Sequence, residues 1–184
     1  MKRVFIAADI RQDIRKIIYR SAKKYFSYSD NIRLTTPENI HITFKFLGNT
    51  RDKEIISIRE TIKDSISGFT SFRYRLEDSI GAFLDKRRAR VFFIGVGEGR
   101  KKFTDLHKSI ETGLEELGII KDMRDFYPHT TIARIRSHIS MKETAGSIEP
   151  IFSDMLECSR ISLYESILEQ DGAKYINIER FSLK

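Results

Sequence analysis

The sequence predicts an α+β domain in which mostly antiparallel sheets carry helices on one face. Apolar and polar residues alternate in most segments that favour strands, as they do in antiparallel sheets with one solvated face. Three other segments carry apolar residues three and four positions apart, which is the spacing of an amphipathic helix. The 184 residues are 40% hydrophobic. We therefore expect one domain, spanning residues 1–184, around a real core.

Two strands and two helices are predicted in the first half of the chain. The apolar run from Val4 to Ala8 predicts the first strand. A helix follows it, and the next strand lies around residues 40–47. Asn49 or Thr50 can cap the second helix, which Gly68 closes. The apolar stripes of these helices are Ile10, Ile14, Ile17, Ile18, Ala22 and Tyr25 in the first, and Ile55, Ile58, Ile62 and Ile66 in the second.

The second half repeats this order loosely and adds strands at its end. A third helix is predicted, and Gly118 ends it. Its apolar stripe is Phe103, Leu106, Ile110, Leu114 and Leu117. Strands are predicted at residues 72–76, 91–96, 127–134, 161–168 and 175–181.

The bulk properties limit the compartment and the partners. The formal net charge is +7, from 33 Lys and Arg against 26 Asp and Glu, which is compatible with a polyanionic partner. Cys158 is the only cysteine, which excludes an intrachain disulfide and a multi-cysteine metal site. The first apolar run is too short for a signal peptide, and no segment approaches the length of a membrane span. We expect a cytoplasmic monomer with no membrane partner.

A short motif, His-x-Thr-hydrophobic, occurs twice in predicted strands. The first copy contains His41 and Thr43, and the second contains His129 and Thr131, 88 positions after the first. Residues two apart in a strand share a face, so each strand projects an imidazole and a hydroxyl from one surface. Two such strands facing each other would place two histidines and two hydroxyl donors around one small anion.

These residue types suit acid–base chemistry on a phosphodiester. Histidine titrates near neutrality, so one copy can act as a general base while the other acts as a general acid. Thr43 and Thr131 can donate hydrogen bonds to the phosphate oxygens, although threonine is also common in strands for its β-branched shape. Either histidine alone would be better read as a structural strand residue. The pair favours the functional interpretation.

Strict alternation of side chains along a strand predicts which residues lie on the same face as the histidine and threonine of each motif. In the first strand, Lys45 falls on the face of His41 and Thr43, where it can meet the phosphate or remain a solvated lysine. Phe44 and Phe46 fall on the opposite, apolar face. In the second strand, alternation places Arg134 on the face opposite to His129.

The motifs and their flanks resemble one family. The matching segments are Phe5-Ile6-Ala7-Ala8-Asp9, His41-Ile42-Thr43-Phe44-Lys45-Phe46-Leu47-Gly48, Pro128-His129-Thr130-Thr131-Ile132-Ala133-Arg134, Ile161-Ser162-Leu163-Tyr164-Glu165-Ser166 and Gly172-Ala173-Lys174-Tyr175. They are similar to the RNA 2′,3′-cyclic phosphodiesterases, also called 2′-5′ RNA ligase-like proteins, of the two-histidine phosphoesterase superfamily. The resemblance spans essentially the whole chain.

The resemblance implies a bilobed fold, with two sheets around a central cleft and helices outside. It implies hydrolysis of RNA 2′,3′-cyclic phosphate ends, such as those of tRNA fragments, to 2′-phosphomonoesters, and also reversible 2′-5′ ligation. It implies no metal and no cofactor. His41 would be the general acid and His129 the general base. Arg134 would help to bind phosphate, and a β-bulge or the end of the strand would have to turn it towards the site.

Two other functions remain to be distinguished. A binding module for RNA ends or nucleotides would use the same cleft but would not require both histidines. A metal hydrolase would need a third ligand, and none occurs at a recognisable spacing. The basic turn from Asp85 to Arg90 can contact an RNA backbone, although charge runs are usually solvated surface.

Overall fold

The computed structural model describes residues 1–26, 31–85, 88–135, 155–170 and 172–184. It is an α+β fold of ten strands and three helices within these residues. The strands are β1 (Lys2–Asp9), β2 (Ile32–Leu34), β3 (His41–Thr50), β4 (Phe72–Tyr74), β5 (Leu76–Asp85), β6 (Arg88–Val96), β7 (His129–Ile135), β8 (Leu156–Cys158), β9 (Arg160–Glu169) and β10 (Gly172–Ser182). The helices are α1 (Gln12–Tyr25), α2 (Asp52–Ile66) and α3 (Arg100–Glu116).

The main sheet is antiparallel and curled around a cleft. Its strand order is β10-β9-β1-β3-β7-β6-β5, and β2 also pairs with β7. Strands β4 and β8 form a small second sheet. The predicted α+β class, the antiparallel pairing and the two lobes are thus confirmed. The lobes are the two halves of the main sheet, one on each side of the junction between β3 and β7.

That junction is narrow. Among the described residues, β3 and β7 pair only through Ile42 and Thr130. Both residues are completely buried. The two halves diverge on either side of this contact, and the surface between them becomes the cleft.

The helices bury the apolar stripes that the sequence predicts, with few exceptions. All four predicted isoleucines of α2 are buried. In α1, Ile17 is 39% exposed instead of belonging to the buried stripe. Helix α2 also begins later than predicted, because β3 extends to Thr50 and Arg51 occupies the N-cap position. The backbone N–H of Arg51 donates to the Glu54 carboxylate at 2.8 Å, which satisfies a donor at the helix start.

The strand that the sequence predicts at residues 72–76 is divided between two sheets. Residues 72–76 do not form one strand, because Tyr74 ends β4 and Leu76 begins β5, which pairs with β6 instead.

No helix among the described residues is long and apolar enough to span a membrane.

Candidate active site

The two motifs lie side by side at the sheet junction. Because β3 and β7 run antiparallel and Ile42 pairs with Thr130, His41 lies beside Thr131, and Thr43 lies beside His129. The histidines and threonines of both motifs line a cleft of about 650 Å³. Each histidine therefore has a threonine from its own strand and a threonine from the other strand as neighbours.

A β-bulge in β7 brings Arg134 to the same face. Thr131 pairs with Phe93 and Ala133 pairs with Phe92, so Ile132 is an extra residue without a partner in β6. An extra residue reverses the alternation that follows it. Ile132 and Ala133 are both buried, and Arg134 lines the cleft. The bulge that the family resemblance required is present.

The same irregularity occurs at the equivalent place in β3. Thr43 pairs with Ala7 and Lys45 pairs with Ile6, so Phe44 is the extra residue. Consequently, Lys45 faces the interior and is 7% exposed, whereas Phe46 is 62% exposed and lines the cleft. The alternation-based assignment of these two residues to faces is therefore wrong.

Lys45 is placed in a buried ion pair instead of the cleft. Its Nζ lies 2.8 Å from Oε1 of Glu111 in α3 and donates to the carbonyl of Ile120 at 2.9 Å. The other carboxylate oxygen of Glu111 accepts the backbone N–H of Asp122 at 3.3 Å. Lys45 thus holds the segment that leads into β7, and its predicted role in substrate binding is corrected to this structural one.

Both imidazoles are oriented in the same way by backbone carbonyls two residues earlier. Nδ1 of His129 donates to the carbonyl of Tyr127 at 2.7 Å. His41 bonds to the carbonyl of Asn39, and its Nε2 lies 2.9 Å from Oγ1 of Thr43. With Nδ1 carrying the proton, Nε2 of each ring is available to accept or donate a proton in the cleft.

The carbonyls that orient the histidines belong to anchored residues. Nδ2 of Asn39 donates to the carbonyl of Ala173 at 2.6 Å. The Tyr127 hydroxyl donates to the Glu77 carboxylate at 3.1 Å. Arg100 lies over the Tyr127 ring, 4.7 Å from its centroid. These contacts limit the movement of both imidazoles.

Aromatic rings pack around each histidine and leave it only partly exposed. The rings are Phe5, Tyr164 and Tyr175 around His41, and Phe83, Phe93 and Tyr127 around His129, with centroid distances from 4.8 to 6.4 Å. The first set comes from β1, β9 and β10, and the second comes from β5, β6 and the segment just before β7. The apolar surroundings disfavour the charged imidazolium.

The pKa values of both histidines are accordingly low. Burial, with smaller contributions from the charges of His129 and Arg134, lowers the pKa of His41 to about 4. Burial also lowers the pKa of His129, and the charge of Arg134 adds to this effect. Without a ligand, both imidazoles are mainly neutral at neutral pH. A bound anion would raise both pKa values.

Arg33, Phe46 and Tyr175 are among the cleft residues for which the sequence predicted no role. Phe46 could not be recognised, because an apolar residue at a core position of the alternation gives no sign of a bulge. Arg33 and Tyr175 belong to strands that approach the motifs only through the tertiary fold.

Two other polar features of the chain are the basic turn and His107, which also lines the cleft. In the basic turn, Lys86 and Arg87 are outside the described residues. His107 packs its ring against Phe126, with centroids 4.0 Å apart. Among the described residues, no three His, Cys, Asp or Glu side chains are grouped as metal ligands.

Comparison with known proteins identifies the family. The model of the 2′-5′ RNA ligase superfamily matches residues 11–166. The chain belongs to this superfamily. Two similar members are named RNA 2′,3′-cyclic phosphodiesterase. The protein of Methanothermobacter thermautotrophicus is 28% identical over 184 residues, which cover 98% of each chain. The protein of Archaeoglobus fulgidus is 30% identical over 182 residues, which cover 97% of this chain and 99% of that protein.

The superfamily fold is also seen in solved structures. The crystal structure of Escherichia coli LigT complexed with 3′-AMP has a TM-score of 0.82 and 23% identity, and the match covers 99% of this chain and 98% of that chain. At this identity, the similarity establishes the shared fold.

Proposed function

We propose that this chain hydrolyses 2′,3′-cyclic phosphate ends of RNA to 2′-phosphomonoesters, with His41 and His129 as an acid–base pair and without a metal ion. The proposal rests mainly on one observation. Each motif histidine lies beside the threonine of the other motif, and all four residues line one cleft that also contains Arg134. The names of its relatives, RNA 2′,3′-cyclic phosphodiesterase, support the same reaction.

The reaction needs two proton transfers on opposite sides of phosphorus. Nε2 of His129 accepts a proton from water while the water oxygen bonds to phosphorus. The bond between phosphorus and O3′ of the ribose breaks, and Nε2 of His41 donates a proton to O3′. The product keeps the phosphate on O2′. The assignment of acid and base follows the family resemblance, because the geometry treats the two histidines almost equally.

The charge that develops on the phosphate oxygens is stabilised by fixed donors. Thr43 and Thr131 supply hydroxyls, and Arg134 supplies a guanidinium whose planar fork suits phosphate. These groups provide the charge stabilisation that a metal ion would otherwise give. The phosphate in turn raises the pKa of His41, which allows it to be protonated when the substrate is bound.

The rest of the cleft accommodates a terminal nucleotide. Phe46 presents an exposed ring on the same face as His41 and Thr43. Single-stranded RNA ends are commonly held by stacking of a base on an aromatic side chain. Stacking on Phe46 would tolerate any base, so recognition would depend on the end group. 2′-5′ ligation would follow if a 5′-hydroxyl replaced the attacking water, so that its oxygen bonds to phosphorus while the bond from phosphorus to O3′ breaks.

The test is incubation of an RNA with a 2′,3′-cyclic phosphate end in EDTA, with separation of 2′- and 3′-phosphate products. We expect a 2′-phosphate, and a loss of about 10²-fold or more in kcat for His41→Ala and His129→Ala, with RNA binding mostly retained. Near-normal turnover in either variant would refute the two-histidine mechanism. Activity that is lost in EDTA and restored by metal would indicate a metal hydrolase, and binding without turnover would indicate a binding module.

A further inference from the structure

Arg33 lies directly opposite Arg134 in the sheet. Strand β2 pairs with β7 in the register Ile32–Ile135, Arg33–Arg134 and Leu34–Ala133. Opposed residues of antiparallel strands project from the same face. Both arginines line the cleft, so two guanidinium groups arise side by side from its floor.

This placement does not serve the stability of the fold. Like charges that are directly opposed across two strands are destabilising. Among the described residues, no carboxylate forms an ion pair with Arg33 or Arg134. An anion bound in the cleft would compensate both charges, which points to a ligand that brings more than one negative charge.

The Arg33 guanidinium reaches towards the start of β10. A Cβ atom added to Gly172 would lie 2.1 Å from Nη2 of Arg33 and 2.7 Å from its Cζ. The guanidinium thus reaches from β2 to the start of β10, across the cleft. Arg33 therefore lies on the β10 side of the cleft, beside Arg134.

Charge determines which way a bound RNA can leave the cleft. The segment before β7 contributes Asp122, Arg124 and Asp125 to the lining, and Arg124 pairs with Asp122, so this end keeps a net negative charge. The other end contributes Arg134 with Arg33 beside it, and Glu169, which pairs with Lys174, so that end keeps a net positive charge. A phosphodiester backbone is repelled by the first end and attracted by the second.

We propose that Arg33 binds the phosphodiester that joins the last two nucleotides of the RNA. The inference rests on the proposed function, in which the His–Thr pairs and Arg134 hold the terminal cyclic phosphate. The chain continues from O5′ of the terminal ribose, and the next negative charge along it is this phosphodiester. The protein then distinguishes an RNA end from a free nucleoside 2′,3′-cyclic phosphate, which lacks that group.

The test compares two substrates, a nucleoside 2′,3′-cyclic phosphate and a dinucleotide that ends in the same group. We expect Arg33→Gln to lower kcat/KM for the dinucleotide by about 10- to 100-fold, mainly through KM, as loss of a charge-assisted contact predicts. The mononucleotide should change less than about twofold. Arg33→Lys should recover part of the lost kcat/KM for the dinucleotide, because lysine keeps the positive charge but lacks the paired donors of the planar guanidinium. Arg73→Gln, an exposed strand arginine in the small sheet, should leave both substrates unaffected.

Binding supplies a readout that does not need turnover. The affinity for the dinucleotide product with a 2′-phosphate should fall in Arg33→Gln, and the slope of log K against log salt should decrease by about one. Equal losses for both substrates would place Arg33 on the cyclic phosphate and overturn the inference. No loss of either activity or binding would also overturn it. A wild-type protein that binds the product in an Arg33-dependent way but hydrolyses neither substrate would refute the proposed function alone.

Discussion

Ile42 and Thr130 pair across the junction of the two half-sheets and are equivalent residues of the two motifs. Each stands between the histidine and the threonine of its own motif, with its side chain on the opposite, buried face. The contact between them sets the separation of His41 and His129, because no other described residues of β3 and β7 pair. The active site therefore depends on a contact that contains no reacting group.

The threonines provide a prediction with an internal control. Thr43→Val and Thr131→Val should each lower kcat by about 10²-fold, because each removes a donor to the phosphate oxygens. Thr130→Val should keep full activity, since that side chain is on the buried face of the same strand. Oγ1 of Thr130 is buried without a hydrogen-bond partner, so this change should raise the free energy of unfolding by about 1 kcal/mol. Steady-state kinetics and urea unfolding test both expectations. A loss of kcat in Thr130→Val as large as in Thr43→Val and Thr131→Val would contradict the first.

Lys45 should matter for stability and not for substrate binding. Lys45→Met leaves Glu111 buried without its partner, which typically costs about 3–5 kcal/mol of folding free energy. The double variant Lys45→Met/Glu111→Leu should recover much of that loss, because it removes both charges. The measurements are urea unfolding and KM at a temperature where the variants are folded. A stable Lys45→Met protein with weak RNA binding would restore Lys45 to the substrate site.

The pH dependence should differ between kcat/KM and kcat. In the free protein, the pKa values of His41 and His129 both lie below the ordinary value of 6.5, so both limbs of the kcat/KM profile should fall below pH 6.5. The bound phosphate raises both pKa values, so the kcat profile should move to higher pH. Coincident profiles would show that the ligand does not affect the histidines.

Arg134 provides a direct check of the electrostatics. Its charge contributes to lowering the pKa of His129, so Arg134→Gln should raise that pKa, as measured by NMR titration of the imidazole. Activity should fall at the same time, because a phosphate donor is lost. An unchanged His129 titration would mean that Arg134 does not face the histidine in solution.

Stability should also decline in mild acid. The folded-state pKa of His41, about 4, is below the unfolded value of 6.5, so protons bind more readily to the unfolded chain. The free energy of unfolding should therefore fall as pH decreases from about 6.5 to about 4. His41→Gln should make this decline shallower, which can be followed by thermal unfolding at several pH values. An identical decline in the variant would exclude His41 as its source.

The sequence predicted the elements and the four motif residues better than it predicted their surroundings. Alternation correctly placed His41 with Thr43 and His129 with Thr131, because no irregularity lies between the members of each pair. It failed one residue later, where a bulge follows each motif and exchanges the faces of Lys45 and Phe46. A bulge is set by the register of neighbouring strands, such as β1 and β6, which the local sequence does not reveal. The bulge that the family resemblance required is present in β7 and places Arg134 in the cleft, whereas alternation placed it on the opposite face.

The two bulges have a consequence for the direction in which the substrate binds. They bring Phe46 and Arg134, each five residues after its histidine, to equivalent places on opposite sides of a near-twofold arrangement. With identical residues there, a cyclic phosphate could dock in two orientations that exchange the attacking and departing oxygens. An aromatic ring on one side and a cation on the other remove this degeneracy. In the proposed reaction, the asymmetry of a nucleotide, with its base and its phosphate, would then select which imidazole meets water and which meets the ribose.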